Sequence, residues 1–326
     1  MMQFIGIDVS KDKLDVLWLR EPQHNKIKTK VFANTPNHHP QLVTWLTTVT
    51  GAAPGDIRVV LEATSVYHEA VALALYDAGF AVSVVNPARV HSYAQALGKT
   101  HKTDKQDSYV LARYGMNEQP MLWQPEAAEI RELKALLSRL AALEKDLQRE
   151  HNRREKAEIA QTPEPVKASI AAVCQVLEEE KQRLEGMIDD HIDRHPKLRG
   201  DRGLLESIPG VGPVVSRLML SVLHSRDFAS GSQVAAYLGL VPQLKQSGKW
   251  KGQTRLSKRG PGWIRAKLYM AAVVASQWNP EIQRQRARLL GRGKTKMQAL
   301  GAAMRKLVHQ CYGVVKQQTE YRPQAL

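Results

Sequence analysis

Apolar and polar residues in the first 115 positions form the pattern of a domain that mixes strands and helices. Two segments repeat their apolar residues every three or four positions and predict helices at residues 38–49 and 67–79. Short apolar runs predict strands at residues 4–10, 14–20, 29–35, 57–63 and 81–86. Three strands in succession, then alternating helices and strands, predict a mixed sheet with helices packed on it.

A helical hairpin is predicted next, over residues 126–195, where apolar residues recur at spacings of three and four among Glu, Lys, Arg and Gln. Two prolines interrupt the run, and the spacing is typical of a coiled-coil-like seam. Two interpretations stay open: the hairpin is a spacer packed on its own chain, or it is an arm that joins subunits. The seam positions are Leu133, Leu136, Leu140, Leu143, Leu147, Ile170, Val173, Leu177, Leu184 and Ile188.

The remaining residues predict a mainly helical domain. Residues 204–223 place a Pro-Gly-x-Gly turn between two apolar helices, which is the pattern of a helix-hairpin-helix. Gly210 and Gly212 would let backbone N–H groups approach a phosphate beside the next helix N-terminus. The alternative is a tight corner in which the glycines serve packing alone. The chain is thus divided into residues 1–120, 121–199 and 200–326.

The charge narrows the class of partner. The net charge of +15 favours a polyanion, with nucleic acid first and an anionic membrane surface second. No apolar run reaches the roughly 18 residues that span a bilayer, and the N-terminal apolar run contains Asp8, unlike a secretory signal. Cys174 and Cys311 match no zinc-binding spacing. We expect a soluble protein of a reducing, intracellular compartment without structural zinc.

The strongest basic cluster surrounds a serine. No Asp or Glu lies between residues 245 and 259, and glycines interrupt any regular element there. Ser247 is either a solvated loop serine or a hydroxyl placed to attack an anionic group, and the loop itself holds no base to activate it. A second basic run lies at residues 284–296. The cations beside the serine are Lys245, Lys249, Lys251, Arg255, Lys258 and Arg259.

Four acids of the first domain stand at positions that suggest metal binding. Asp8 and Glu62 lie in or at the end of apolar strands, where an unpaired carboxylate is costly. Asp104 and Asp107 share one face of a helix's first turn. Each has a simpler explanation, such as a strand-end turn for Asp8 or a helix cap for Asp104. Together they predict a Mg²⁺ site, in which two ions about 4 Å apart could clamp a phosphodiester.

In these motifs the sequence resembles the DEDD insertion-sequence transposases, over nearly the whole chain and with the motifs in the expected order. IGIDVSKDKLDV, VLEATSVY, VVNPARV and KTDKQDSYVLA resemble the RuvC-like, RNase H-fold domain of that family. SIPGVGPVVS, the segment from AYLGLVPQ to KLYMAA, and GAAMRKLVHQCYGVV resemble its C-terminal domain. One departure is Gln106, which precedes the fourth acid where relatives often have a smaller residue.

The resemblance implies an α/β RNase H-like (RuvC-like) domain, a coiled-coil helical hairpin and a mainly α-helical domain with a helix-hairpin-helix. It makes Ser247 the reactive serine, which attacks DNA to give a phosphoserine intermediate. Strand exchange then passes through a Holliday-junction-like intermediate in a homo-oligomer, a dimer or tetramer, whose subunits can share an active site. The catalytic, Mg²⁺-binding acids are Asp8, Glu62, Asp104 and Asp107.

The resemblance also implies partners. A structured bridge RNA, encoded in the mobile element, pairs with donor and target double-stranded DNA and guides the recombinase. The basic residues around Ser247 would neutralise phosphates. The expected location is the bacterial cytoplasm, on the nucleoid when bound, with no membrane partner.

Two other functions stay open. A metal-dependent Holliday-junction-type nuclease would use water as the nucleophile and leave free ends without a protein–DNA adduct. A non-catalytic nucleic-acid-binding protein would keep its acids for structure, and its binding would survive neutralisation of Asp8 and Glu62.

Overall fold

The computed structural model describes residues 2–24, 26–98, 104–243, 246–247, 250–251 and 255–323. The side chains of residues 104–105, 246–247 and 250–251 lie outside that description. The chain forms two compact units, Met1–Pro125 and Glu126–Leu326. The predicted boundary near residue 200 falls inside the second unit, and the three-part division stays a prediction.

A five-stranded sheet forms the centre of the first unit. Its spatial order is β3-β2-β1-β4-β5. The first three strands pair antiparallel, whereas β4 pairs parallel to β1 and β5 parallel to β4. The predicted mixed sheet is confirmed, and it is consistent with an RNase H-like domain. The strands are β1 (Gln3–Val9), β2 (Lys13–Glu21), β3 (Lys26–Ala33), β4 (Ile57–Glu62) and β5 (Ala81–Val85).

Helices cover both faces of this sheet because strand residues alternate between the faces. Ile5, Ile7 and Leu61 point to one face and share a core with α1 (His39–Thr50) and α2 (Glu69–Asp77). Val60 points to the other face, where it packs with residues of α3 (Pro87–Ala96) and α4 (Asp104–Glu118). The central strands are therefore buried on both sides.

Helix α3 is an element of the first unit that the hydrophobic pattern did not predict. Its N-cap, Asn86, accepts a hydrogen bond of 2.8 Å from Ala88 N–H, and Pro87 occupies the first helical position. Val90 is the buried residue of α3, so the helix carries little of the apolar repeat from which a helix is predicted. The Asn-Pro pair was the available signal, since both residues are favoured at a helix start.

The second unit is mainly helical, with one core that includes Leu133, Leu218, Leu268 and Leu307. Four two-residue strands lie between α9 and α10: β6 (Pro242–Gln243), β7 (Gln246–Ser247), β8 (Trp250–Lys251) and β9 (Arg255–Leu256). The helices are α5 (Ala128–Ile159), α6 (Glu164–Arg194), α7 (Pro196–Glu206), α8 (Pro213–Leu223), α9 (Gly231–Tyr237), α10 (Gly262–Trp278), α11 (Pro280–Gly291) and α12 (Lys296–Gln317). No helix of the described part is long and apolar enough to cross a bilayer.

The long helices α5 and α6 pack along each other, but two seam positions differ from the prediction. Leu137 is fully buried, whereas Leu136 is only partly buried against the core. In α6, Cys174 is buried at 3% exposure, whereas the predicted seam residue Val173 is 44% exposed. Both 173 and 174 keep helical spacing from Ile170 and Leu177, so the apolar pattern alone favoured the larger valine.

Candidate active site

Asp8 and Glu62 occupy equivalent positions on neighbouring strands. The parallel pairing of β1 with β4 ends at Ile7 opposite Leu61, and the two acids are the next residues in register. Adjacent strands lie about 4.8 Å apart. Because side chains alternate along a strand, both acids belong to the face of Gly6 and Val60, which is the face covered by α4.

Helix α4 approaches this face closely because β1 carries a glycine there. A Cβ on Gly6 would overlap the carbonyl oxygen of Ser108 and lie 2.6 Å from the nitrogen of Ala112. Further along the helix, a Cβ on Gly115 would lie 2.5 Å from Val60. The sequence analysis did not single out Gly6, although a glycine inside a strand is a known mark of close backbone approach.

The first turn of α4 consequently lies beside the strand ends that carry the acids. The helix runs antiparallel to β1, since Ser108 is near Gly6 whereas Gly115 is near Phe4. Ser108 Oγ–H donates a 2.8 Å hydrogen bond to the backbone oxygen of Asp15, which pairs with Asp8 across β1 and β2. Asp107 precedes Ser108 and is half-buried in this first turn.

The backbone framework fits a site for an oxygen-bound cation at this end of the sheet. Asp8 and Glu62 supply carboxylates, the ligands that Mg²⁺ prefers. Within the described residues, no three His, Cys, Asp or Glu side chains are grouped closely enough to hold a metal ion. Asp104 begins α4, and its side chain is outside the described part. The four-acid ligand set therefore stays a prediction.

Ser247 lies in the second unit, in a ribbon made of two nested pairs of short strands. The inner pair joins Ser247 to Trp250 and Gln246 to Lys251, and the outer pair joins Pro242 to Leu256. The glycines of this segment thus coexist with regular pairing, which the sequence analysis did not expect. Strand pairing gives the serine backbone a defined position.

The base of this ribbon is held by close backbone contacts between two turns. Gly239 and Gly260 have φ values of +71° and +97°, and a Cβ on Gly239 would lie 2.9 Å from Arg259 N. The guanidinium of Arg265 donates hydrogen bonds to Leu238 O at 3.3 Å and to Gly260 O at 3.0 Å. Sequence reasoning missed Arg265, because nothing in a basic run distinguishes a structural arginine from one that contacts phosphate.

The structure describes the side chains of three of the six predicted phosphate-binding cations. Arg255, Lys258 and Arg259 are exposed at the base of the ribbon. Lys258 and Arg259 have no acidic partner within 4.0 Å among the described residues. Lys258 has φ of +53°, an uncommon conformation for a non-glycine residue. Lys245 and Lys249 lie outside the described residues, and so does the side chain of Lys251.

Ser257, the other serine of the ribbon segment, differs from a reactive serine in its surroundings. Its hydroxyl oxygen is buried and has no hydrogen-bond partner among the described residues. A buried oxygen is poorly placed to meet a DNA phosphate. Ser257 is therefore a suitable control for experiments on Ser247.

The two glycines of the predicted helix-hairpin-helix differ in their surroundings. Gly210 has φ of +99° and packs against α10, where a Cβ would lie 2.6 Å from that of Ala275. Gly212 is exposed, caps α8 and has nothing within 4 Å of a built Cβ. Gly210 thus has a packing role, whereas phosphate contact by either glycine stays a prediction.

Comparisons with known proteins assign both halves of the chain to transposases. Residues 5–157 match the DEDD transposase model of the IS110 group, and residues 202–287 match the model of the IS116/IS110/IS902 transposase family. The chain is 32% identical over 320 residues to the pilin gene-inverting protein of Moraxella bovis, covering 96% of each chain. The same protein of Moraxella lacunata gives equal identity and coverage. An uncharacterized 43.6 kDa protein of insertion element IS110 from Streptomyces coelicolor is 26% identical over 154 residues, 47% of this chain and 37% of its own.

Proposed function

The chain belongs to the IS110 family of DEDD transposases and is a DNA transposase or recombinase, and from this premise we propose how it recombines DNA. The acids at the sheet end bind Mg²⁺, Ser247 is the nucleophile, and a bridge RNA selects the donor and target DNA. The Moraxella relatives are named for inverting pilin genes. Inversion is a rearrangement between two DNA sites, and we propose the same class of reaction here.

The observation that carries the metal site is the register of Asp8 with Glu62 beside the first turn of α4. DEDD transposases typically depend on a divalent metal, and we propose Mg²⁺ held by Asp8, Glu62, Asp104 and Asp107. When bound, such an ion polarises a scissile phosphate and stabilises the attacking and leaving oxygens. The chain's own contribution is to fix the carboxylates on adjacent strands and on one packed helix.

The proposed reaction is a transfer of the DNA phosphate to Ser247. A bond forms between Ser247 Oγ and the phosphorus as the bond to the leaving strand oxygen breaks. One end of the cut strand is freed as a hydroxyl, which takes up the proton lost from Ser247 Oγ, and the other end is joined to the protein as a phosphoserine. The energy of the phosphodiester is kept for rejoining, which recombination without an external energy source requires. Strand exchange then proceeds through a Holliday-junction-like intermediate.

The cations around the ribbon support this role for the serine. Lys258 and Arg259 are exposed and have no acidic partner within the described part, so they are available to phosphates. Cations placed at a reacting phosphate stabilise the developing charge. We propose the same role for Arg255 and for the three cations that lie outside the description.

Recognition of sequence by a guide RNA suits a protein with extensive basic surface. Base pairing reads the DNA, and the protein contacts backbone and shape. We further interpret α5 and α6 as a coiled-coil-like hairpin and α7 with α8 as a helix-hairpin-helix. A homo-oligomer would bring two DNA sites together, and its active sites can combine residues of different subunits.

Covalent trapping tests the serine mechanism. A DNA substrate nicked near the cleavage site, incubated with protein, guide RNA and Mg²⁺, should leave wild-type protein joined to DNA on a denaturing gel. Ser247→Ala should give neither adduct nor cleavage yet retain DNA affinity, because the neighbouring cations supply it. Ser257→Ala is the matched control and should form the adduct like the wild type. Mass spectrometry should place the adduct on the peptide that contains Ser247.

Other outcomes support the competing functions. Robust cleavage by Ser247→Ala without an adduct would indicate a metal-dependent nuclease in which water attacks. Binding without any metal-dependent cleavage by the wild type, unchanged in Asp8→Asn, would indicate a non-catalytic nucleic-acid-binding protein.

A further inference from the structure

The side chain of Asn34 connects the two chain segments that follow the strand acids. Asn34 lies between β3 and α1, and its Nδ2 group donates to Ser10 O at 2.9 Å and to Tyr67 O at 3.0 Å. Ser10 comes two residues after Asp8, and Tyr67 follows β4 in the loop after Glu62. The two carbonyl oxygens share one nitrogen, so they cannot be farther apart than these two hydrogen bonds laid end to end.

Short hydrogen-bonded turns hold both segments, and on the Tyr67 side they lead back to Glu62. Ser10 N–H donates to Lys13 O at 3.0 Å, and Ser10 Oγ–H donates to the same oxygen at 2.9 Å. On the other side, Thr64 N–H donates to Glu62 O at 2.8 Å, and Tyr67 N–H donates to Thr64 O at 3.1 Å. A displacement at either end of the Asn34 bridge is consequently transmitted to an acid within a few residues.

A hydrogen bond between His39 and the amide oxygen fixes the orientation of the Asn34 amide. His39 is buried in α1, and its Nε2 lies 3.2 Å from Asn34 Oδ1. Burial, reinforced by the neighbouring His38, lowers the pKa of His39, so the ring is neutral near pH 7 and can carry its proton on Nε2. The Asn34 backbone N–H also donates to Asp12 O at 3.0 Å. The amide nitrogen, with two accepting partners, and the amide oxygen are therefore both hydrogen-bonded, which fixes the orientation of this half-buried amide.

The bridge lies just beyond the last paired residues of β1 and β4. The parallel ladder between β1 and β4 ends at Ile7 and Leu61, and the acids that follow pair with the outer neighbours of these strands, Asp8 with Asp15 and Glu62 with Val85. Among the described residues, no further β1–β4 pairing fixes the separation of the two acids. We propose that Asn34 is a positioning residue, which sets the separation of the Asp8 and Glu62 carboxylates by bridging the segments after them. This inference rests on the proposed metal site. Residues that hydrogen-bond metal ligands directly typically affect metal affinity about 10- to 100-fold, and this range is an upper bound for Asn34, which acts through backbone segments.

Mn²⁺ binding to the full-length protein tests this role without relying on cleavage. Free Mn²⁺ is measured by electron paramagnetic resonance as the ion alone is titrated into wild type, Asn34→Ala, Asn34→Gln and Asn37→Ala. Asn34→Ala should raise the dissociation constant measurably, by up to the roughly 10- to 100-fold effect of a residue that bonds a ligand directly. Asn34→Gln keeps the donors on a longer stem and should give a smaller increase. Asn37→Ala, an exposed asparagine of the same loop, should bind like the wild type.

Thermal unfolding of each variant separates positioning from support of the fold. A lower unfolding temperature of Asn34→Ala with unchanged Mn²⁺ affinity would overturn the proposal, because the amide would then be structural alone. If Asn34→Ala does not fold, Asn34→Gln decides: weaker binding with a near-native unfolding temperature supports the proposal, and wild-type binding overturns it. Asp8→Asn tests the premise. Wild-type Mn²⁺ affinity in Asp8→Asn would overturn both the metal site and the role of Asn34. If Asp8→Asn loses Mn²⁺ affinity but the Asn34 variants do not, only the role of Asn34 is overturned.

Discussion

Asp8 and Glu62 stand side by side where the parallel pairing of β1 and β4 ends. The pairing places both carboxylates on the face that α4 covers, at the level of its first turn. A desolvated carboxylate at such a position costs several kcal/mol unless it is paired or binds a cation. The proposed metal site would account for two acids in these strands.

Neutralising these acids should abolish strand cleavage. Each substitution retains the shape of the side chain and removes a ligand charge, so Mg²⁺ affinity falls. The loss should exceed the roughly 10- to 100-fold effect of an outer-shell partner. Cleavage of labelled DNA reports the loss, and gel-shift assays should show nearly unchanged binding. Undiminished cleavage by the double variant at positions 8 and 62 would show that the metal lies elsewhere. The variants are Asp8→Asn, Glu62→Gln, Asp104→Asn and Asp107→Asn.

Gly6→Ala should displace α4 from the sheet. The added methyl group would overlap the carbonyl oxygen of Ser108, which is backbone and cannot rotate away. Overpacking typically costs about 1–3 kcal/mol, and cleavage should fall as well because the first turn of α4 moves.

Urea unfolding measures this change, and Gly186→Ala is the control. Gly186 lies inside α6 with nothing within 4 Å of a built Cβ. Alanine there should raise the free energy of unfolding by up to about 1 kcal/mol. Equal stability of the Gly6→Ala and wild-type proteins would contradict the close packing of α4.

Part of this site could be predicted from sequence because it depends on local patterns. The strands that carry Asp8 and Glu62 are apolar runs of the kind that burial on both faces of a sheet requires. Packing choices could not be predicted in the same way: Val173 and Cys174 both fit the helical period, and tertiary contacts decide between them. The Asn34 bridge joins residues far apart in sequence through backbone oxygens, which leave no mark in residue type.

The exposed valines of α6 should contribute to subunit contact. Val166, Val173 and Val176 are 46%, 44% and 63% exposed and recur at helical spacing. Lysines at 173 and 176 would place charges where a partner must desolvate them, so association should weaken. Light scattering should report smaller assemblies, while the unfolding temperature stays near that of the wild type.

The double variant Leu140→Lys, Leu143→Lys is the comparison for the double valine variant. Both leucines belong to the core of their own unit, so these changes should unfold it rather than only dissociate subunits. An unchanged mass for the valine variant would favour the interpretation of the hairpin as a spacer on its own chain.

Asp201 should make the second unit sensitive to acid. Burial raises the pKa of Asp201, but hydrogen bonds from His224 and Gln318 outweigh this effect and lower it below the ordinary value. The bonds are 2.8 and 2.7 Å long and join α7 to the ends of α8 and α12. A lowered pKa stabilises the fold above the unfolded value of about 3.9, and this contribution is lost as pH falls through the folded value.

Asp201→Asn measures that contribution. At pH 7 the variant should lose about 2 kcal/mol of unfolding free energy, the range of hydrogen bonds to a charged group. The difference from the wild type should shrink as the pH falls below about 4. Urea midpoints at pH 7, 5, 3.5 and 2.5 give the comparison, since the loss occurs below the unfolded pKa. A difference that is constant across this range would show that the charge of Asp201 contributes nothing.

Guide RNA should accompany the protein through purification and determine where it recombines DNA. The net charge of +15 supplies attraction to any nucleic acid, but backbone contacts carry no sequence information. RNase treatment should therefore abolish recombination at the specific site while general DNA binding persists and weakens with salt. Adding back RNA transcribed from the flanks of the gene should restore the specific reaction, and RNA with altered pairing loops should redirect it. Specific recombination by RNA-free protein would mean that the polypeptide itself reads the DNA bases.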